Sequence, residues 1–175
     1  ENVNFAVICR SITYLDGEPQ NDYRPDINHN CLEASRIRFH DRGNMPPGVS
    51  PHATEVCSIL LGADTGAYTD QLGPFDYYGT APDASADVYE FWSFLINNVF
   101  PSVTPDADIL TADVGTQFED WWTRGIEAMA ARSGIIVISG IGNGSESHDS
   151  ALYPAAASNA IGVGAVDPVN TEDEE

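Results

Sequence analysis

Three residues stand where side chains of a folded chain could do chemistry. Cys9 closes an apolar run, His52 opens a helical pattern, and Asn143 lies in a glycine-rich turn after a β-branched run. An imidazole changes charge near neutral pH and serves as a general base. A thiol attacks only as its thiolate, which needs an electropositive, partly exposed setting. A carboxamide donates a hydrogen bond to a developing oxyanion without titrating itself. Together these types suit acyl transfer, provided a nucleophile and an orienting carboxylate join them. A Cys9–His52 thiolate pair is one arrangement; a buried structural thiol explains Cys9 equally well. His29, His40 and His148 fall in polar loops without metal-ligand spacing, and Asp64, Asp70 and Asp76 match no strong calcium template. No motif indicates a cofactor, although loop carboxylates leave calcium open.

The elements that must position these groups follow from the apolar pattern. Asn2 to Cys9 reads as a strand apolar on both faces, which suits the middle of a parallel sheet. Residues 16–51, rich in Asp, Asn, Pro and Gly, read as one long surface excursion. His52 to Leu61 has helical spacing and Gly62 ends it. Residues 63–79 read as a second polar loop, Ala86 to Trp92 as an alternating strand, and Phe94 to Phe100 as a short helix before Pro101. Ala107 to Ala112 is the next strand. Glu119 to Arg132 is a helix closed by Gly134, with Trp121 and Trp122 giving one surface and one core face. Ile135 to Ser139 and Ala160 to Val166 complete the strands. Strands alternating with helices imply a parallel sheet with helices on both faces. Functional groups then gather at the carboxyl ends of the strands.

Five blocks recur in a familiar order: Ser50-Pro51-His52-Ala53-Thr54-Glu55-Val56, Tyr78-Gly79-Thr80-Ala81-Pro82-Asp83-Ala84, Ser139-Gly140-Ile141-Gly142-Asn143-Gly144, Tyr153-Pro154-Ala155-Ala156, and Val163-Gly164-Ala165-Val166-Asp167. The chain resembles the subtilisin-like serine proteases, whose blocks read approximately HGTHVAG, GVAPDA, AAGN, YPA and VGAVD. The resemblance implies an α/β, three-layer subtilisin-like fold with a mostly parallel central sheet, incomplete at its C-terminus. It implies one domain over residues 1–175, with residues 172–175 as an acidic tail. It makes His52 the general base and Asn143 the oxyanion donor. Val114-Gly115-Thr116 falls at the segment that pairs with extended peptide substrates, with Asp113 where a small residue is expected. It also implies peptide or protein partners and a secreted or cell-envelope location.

The departures are as specific as the matches. Cys9 stands where that family places the aspartate that orients the histidine. Asp16 and Asp26 are near in sequence but match no motif. Ala53 and Glu55 replace a glycine and a second histidine, and Glu55 is expected to face solvent. The family's nucleophile, a serine in a Gly-Thr-Ser segment, has no counterpart before Glu175. Loss of the orienting carboxylate alone costs about 10⁴ in turnover in a serine protease. The expectation is a domain inactive as this chain stands, a pseudoprotease or peptide-binding module. The alternatives are a fragment of an active serine peptidase, its serine in another segment or chain, or a nucleotide-binding flavodoxin-like domain. The last rests on Gly140-x-Gly142-x-Gly144, which no helical pattern follows.

Composition narrows the partners. The 175 residues hold 27 acidic and 7 basic side chains, all seven arginine, for a formal charge of −20. Such a surface repels nucleic acid and anionic membranes. No stretch reaches the ~18 apolar residues of a membrane span. Glu1 opens the chain without methionine or a signal-like apolar run, as in a processed or recombinant product. Three cysteines, Cys9, Cys31 and Cys57, allow one disulfide or three buried thiols, and the apolar patterns around Cys9 and Cys57 favour thiols.

Overall fold

The computed structural model describes residues 3–143 and 151–165. In chain order these form β1 (Asn4–Cys9), a hairpin of β2 (Ile12–Leu15) and β3 (Glu18–Asn21), β4 (Ile37–His40) and α1 (Pro51–Leu61). A second hairpin, β5 (Ala63–Thr69) and β6 (Gly73–Tyr78), leads to β7 (Ser85–Glu90). Next comes α2 (Phe91–Phe94), which runs into a π-helical turn (Leu95–Val99). β8 (Ile109–Ala112), α3 (Trp121–Ser133), β9 (Ile136–Gly140) and β10 (Ala160–Val163) follow. Asn2, His148, Gly144, Ser145, Val166, Asp167 and the acidic tail lie outside the described residues.

β1 is the middle of a six-stranded sheet in the order β10-β9-β8-β1-β7-β4, every described pairing parallel. From Phe5 to Cys9 it is buried, because helices cover both faces of the sheet. Phe5, Val7 and Cys9 point to one face and pack with Ala53, Cys57 and Leu61 of α1. Ala6 and Ile8 point to the other, against Phe94, Leu95, Ile126 and Met129 of the α2 and α3 layer. The expected three layers with helices on both faces are present.

The helix termini follow local chemistry. Ser50 caps α1 by accepting the Ala53 N–H, Pro51 occupies the first turn, and Gly62 ends the helix. Asp120 and Thr123 close α3 with a reciprocal capping box, and Gly134 stops it in the left-handed conformation at φ 74°. Trp122 is buried and Trp121 exposed, as the helical spacing requires.

Four expectations are corrected. Residues 16–51 are not one surface excursion: they contain β3 and the edge strand β4, and bury Tyr23, Cys31, Leu32 and Ile37. The apolar residues there are single and scattered, so no periodicity announces them. Residues 63–79 form the hairpin β5–β6, which stands apart from the main sheet and therefore lacks a buried-face pattern. The helix expected from Phe94 begins at Phe91, and the strand before it does not alternate, since β7 is buried throughout from Ala86.

β4 also removes His40 from the polar loops. Its Nε2 lies 2.6 Å from Asp87 Oδ1, and its ring stacks on Tyr89 at 4.4 Å. Arg38 donates to both Asp87 oxygens at 2.8 and 2.5 Å, and Asn4 Nδ2 donates at 3.1 Å. Asp87 thus ties the edge strand and β1 to β7. Burial pushes its carboxyl up, but the hydrogen bonds from Arg38, His40 and Asn4 outweigh burial and hold it at about 2. A carboxyl held below its unfolded value stabilises the fold at neutral pH. That stability is lost as pH falls from about 4, the unfolded value, through the folded value. Asp87→Asn is expected to lower stability at pH 7 by about 1–2 kcal/mol, allowing for the exposure of Arg38. The difference from wild type should close near the folded value. Urea melts across pH check this, and equal stability at pH 7 would rule the hub out.

Candidate active site at the carboxyl ends of β1 and β8

The chain leaves β1 toward β4 and β7 on one side, and leaves β8 toward β9 on the other. The strand order therefore reverses between β1 and β8, and a crevice at their carboxyl ends is where an open parallel sheet places ligands. His52 reaches this crevice from the first turn of α1, with its side chain half exposed. The helix start is held firmly. The fully buried Ser50 accepts the Ala53 N–H at 3.1 Å and donates to Asp22 Oδ1 at 3.0 Å. The Ser50 N–H reaches Arg24 O at 2.8 Å, and Thr54 Oγ1 accepts the Asp26 N–H at 2.8 Å. The loop before the helix thus fixes the backbone that carries His52. Ala53 is fully buried in the α1 core, and Glu55 is exposed.

The carboxylate beside His52 comes from β8. His52 Nε2 lies 2.8 Å from Asp113 Oδ2, with the Asp113 side chain 25% exposed. The contact has the distance of an ion pair without the alignment of a hydrogen bond, and Oδ2 has no other hydrogen-bond partner among the described residues. Burial raises the Asp113 carboxyl, opposed by His52 and then Arg10, while Asp22 adds to the rise.

Register explains the position. β1 and β8 pair Phe5 with Ile109 through Ile8 with Ala112, and the Asp113 N–H donates to Ile8 O at 3.0 Å. Cys9 and Asp113 are therefore next in register, about 4.8 Å apart across the sheet. Leu110 and Ala112 face the α3 layer, so alternation turns Thr111 and Asp113 toward α1. In sequence, Asp113 stands only as a replacement for a small residue. Its signal was an acidic side chain one residue beyond a strand, but its neighbour could be found only from the register.

Cys9 has no exposure and packs in the α1 core with Cys57. Burial, then Cys57 and the carboxylates of Asp113 and Asp22, push its thiol well up. Cys57 is raised to about 12, by burial first and Asp113 second. Burial raises both thiols, whereas a reactive thiolate needs an electropositive, partly exposed setting. All three cysteines are free and buried.

Asn143 lies three residues beyond β9 and is exposed. Val114 and Gly115 continue past Asp113. Thr116 forms an antiparallel bridge with Tyr153, its N–H donating to Tyr153 O at 2.9 Å and its carbonyl accepting the Tyr153 N–H at 2.8 Å. Thr116 thus spends both backbone groups on Tyr153. Gly115 is required there, since a Cβ would lie 2.9 Å from Leu152 Cβ and 3.2 Å from Tyr153 O.

Solved structures share this fold. The chain is similar to the PatG macrocyclase in complex with peptide, at TM-score 0.62 and 14% identity over 94% of this chain and 57% of that one. It is similar to the psychrophilic subtilisin-like protease Apa1 from the Antarctic psychrotroph Pseudoalteromonas sp. AS-11, at TM-score 0.61 and 17% identity over 95% and 36%. A third likeness is to a structure described as S41 psychrophilic protease, at TM-score 0.58 and 18% identity over 92% and 52%. The fold is subtilisin-like. This chain spans little more than half, or less, of each of those chains. No family model matches the sequence, and no curated protein matches it. At these identities the likeness speaks for the fold alone.

Two outcomes follow from the site's packing. Ser50→Ala removes a cap and strips the buried Asp22 of its hydroxyl donor, so a loss of about 2–4 kcal/mol in urea unfolding is expected. A loss below about 0.5 kcal/mol would show that the cap does not anchor α1. Asp113 carries the opposite sign to Asp87. Its carboxyl is raised on folding, so its charged form costs stability. The cost is absent below the unfolded value and appears as pH rises through the folded one. Asp113→Asn is expected to melt above wild type at pH 7, with the gap closing in acid. A variant that melts below wild type at pH 7 contradicts this.

Proposed function

We propose that this chain is the base-bearing part of a subtilisin-like domain that binds extended peptides. It acts as a serine-type peptidase when a nucleophile comes from outside residues 1–175. The observation that carries this reading is the His52–Asp113 contact at the point where strand order reverses. A half-exposed imidazole, rigid on a capped helix and backed by a carboxylate, is poised as a general base. Asn143, beyond the neighbouring strand, supplies a non-titrating donor of the kind an oxyanion needs. Val114 and Gly115 offer main-chain groups for strand addition by a peptide. The PatG structure, whose description includes a bound peptide, supports the ligand class.

A second reading is favoured by Cys9. With a buried thiol at the end of β1 in place of a carboxylate, the domain binds peptides and hydrolyses none. A serine-directed fluorophosphonate separates the two. The 175-residue chain should not label under either reading. The natural full-length polypeptide containing it should label on a serine in a Gly-Thr-Ser segment, with labelling lost in His52→Ala. A full-length polypeptide with no such segment, or one that does not label, leaves the peptide-binding reading.

A further inference from the structure

We propose that Asp113 is the positioning carboxylate of His52, moved one strand across the sheet from the end of β1 to the end of β8. This rests on the reading of His52 as a general base.

Three observations carry it. Cys9 and Asp113 are register neighbours on parallel strands, one beyond the Ile8–Ala112 pair. Both lie on the α1 side of the sheet, since Val7 and Cys9 pack against α1 while Leu110 and Ala112 pack the other way. A carboxylate can therefore change strands without changing face. The third is the contact itself, His52 Nε2 to Asp113 Oδ2 at 2.8 Å, to an oxygen with no other hydrogen-bond partner among the described residues. The Cys9 position lies deeper, with no exposure, and is occupied by a thiol packed with Cys57.

The ring nitrogens exchange roles as a result. In the usual Ser-His-Asp device the carboxylate faces Nδ1–H and Nε2 takes the proton from the nucleophile. Here Nε2 faces the carboxylate, so Nδ1 is the nitrogen that accepts the seryl proton. That proton stays on the ring, and Asp113 remains ionised and balances the imidazolium charge. The charged and titratable groups around Asp113 are His52 from α1, Arg10 after β1, and Asp22 after β3. Cys9 on β1 and Cys57 on α1 are further neighbours.

Two measurements test the assignment. The carboxyl carbon of Asp113 is titrated by NMR in the 175-residue chain and in His52→Gln. The midpoint should move further up when the imidazole is removed; an unchanged midpoint overturns the pairing. In the full-length polypeptide, Asp113→Asn should lower kcat by about 10²–10⁴-fold while KM stays within about two-fold. Asp113→Glu should recover part of the loss, and Glu55→Gln, on the exposed face of the same helix turn, should leave kcat unchanged. A folded Asp113→Asn that keeps its kcat within about three-fold overturns the role. If wild type hydrolyses no peptide, the peptidase reading fails, and the titration alone decides whether Asp113 holds His52.

Discussion

The parallel pairing of β1 with both β7 and β8 is the constraint on which the rest of the molecule hangs. A strand paired on both edges and covered on both faces has one register that keeps its apolar side chains inside. Slipping β8 by one residue would turn Leu110 and Ala112 toward α1 and carry Asp113 away from His52. The same alternation that builds the two cores therefore aims the carboxylate. Burial of β1 sets the sheet, and α1 follows because Ala53, Cys57 and Leu61 recur every four residues and meet Val7 and Cys9. His52 is then brought to the crevice without any interaction of its own.

Charge supply shapes what the site can be. With 27 carboxylates and seven arginines, cations are scarce. Among the described residues, five of the seven arginines pair with acids in Arg24–Asp41, Arg36–Glu33, Arg38–Asp87, Arg42–Glu90 and Arg124–Glu119. The fully buried Glu90 combines Arg42 at 3.0 Å with the N–H groups of Trp92 and Ser93 at the start of α2. Each of these acids faces a cation that does not titrate in the working range. Asp113 receives an imidazole in direct contact instead, and burial wins over that attraction. Asp87 also faces an imidazole, that of His40, but with Arg38 bound beside it, whereas Asp113 has the His52 imidazole as its ion-pair contact among the described residues.

Much of this was legible in the sequence where pattern and chemistry coincide. β1, α1, α3 and β9 announced themselves through continuous apolar runs, four-residue spacing and the stops at Gly62 and Gly134. His52 was found because a motif and a helix start fell together. β4 was not found: four residues at a sheet edge, with Arg38 and His40 turned to Asp87, carry no periodicity. The hairpin β5–β6 escaped for a related reason, since neither of its faces is the face of a core. Sequence reads what is local and repeated; it does not read which strand lies beside which.

That gap accounts for Asp113. In sequence, the family pattern puts the orienting carboxylate at the end of β1, where this chain has Cys9. Yet the physical requirement on an orienting carboxylate is a distance to the imidazole and a face of the sheet, not a chain position. Two adjacent parallel strands present equivalent positions about 4.8 Å apart, close enough for an imidazole to swing from one to the other by turning on its own bonds. A substitution at the end of β1 can then be offset at the end of β8, provided the parity of the strand puts the new side chain on the same face. In this chain Leu110 and Ala112 fix that parity, and Asp113 is the first residue beyond them to satisfy it.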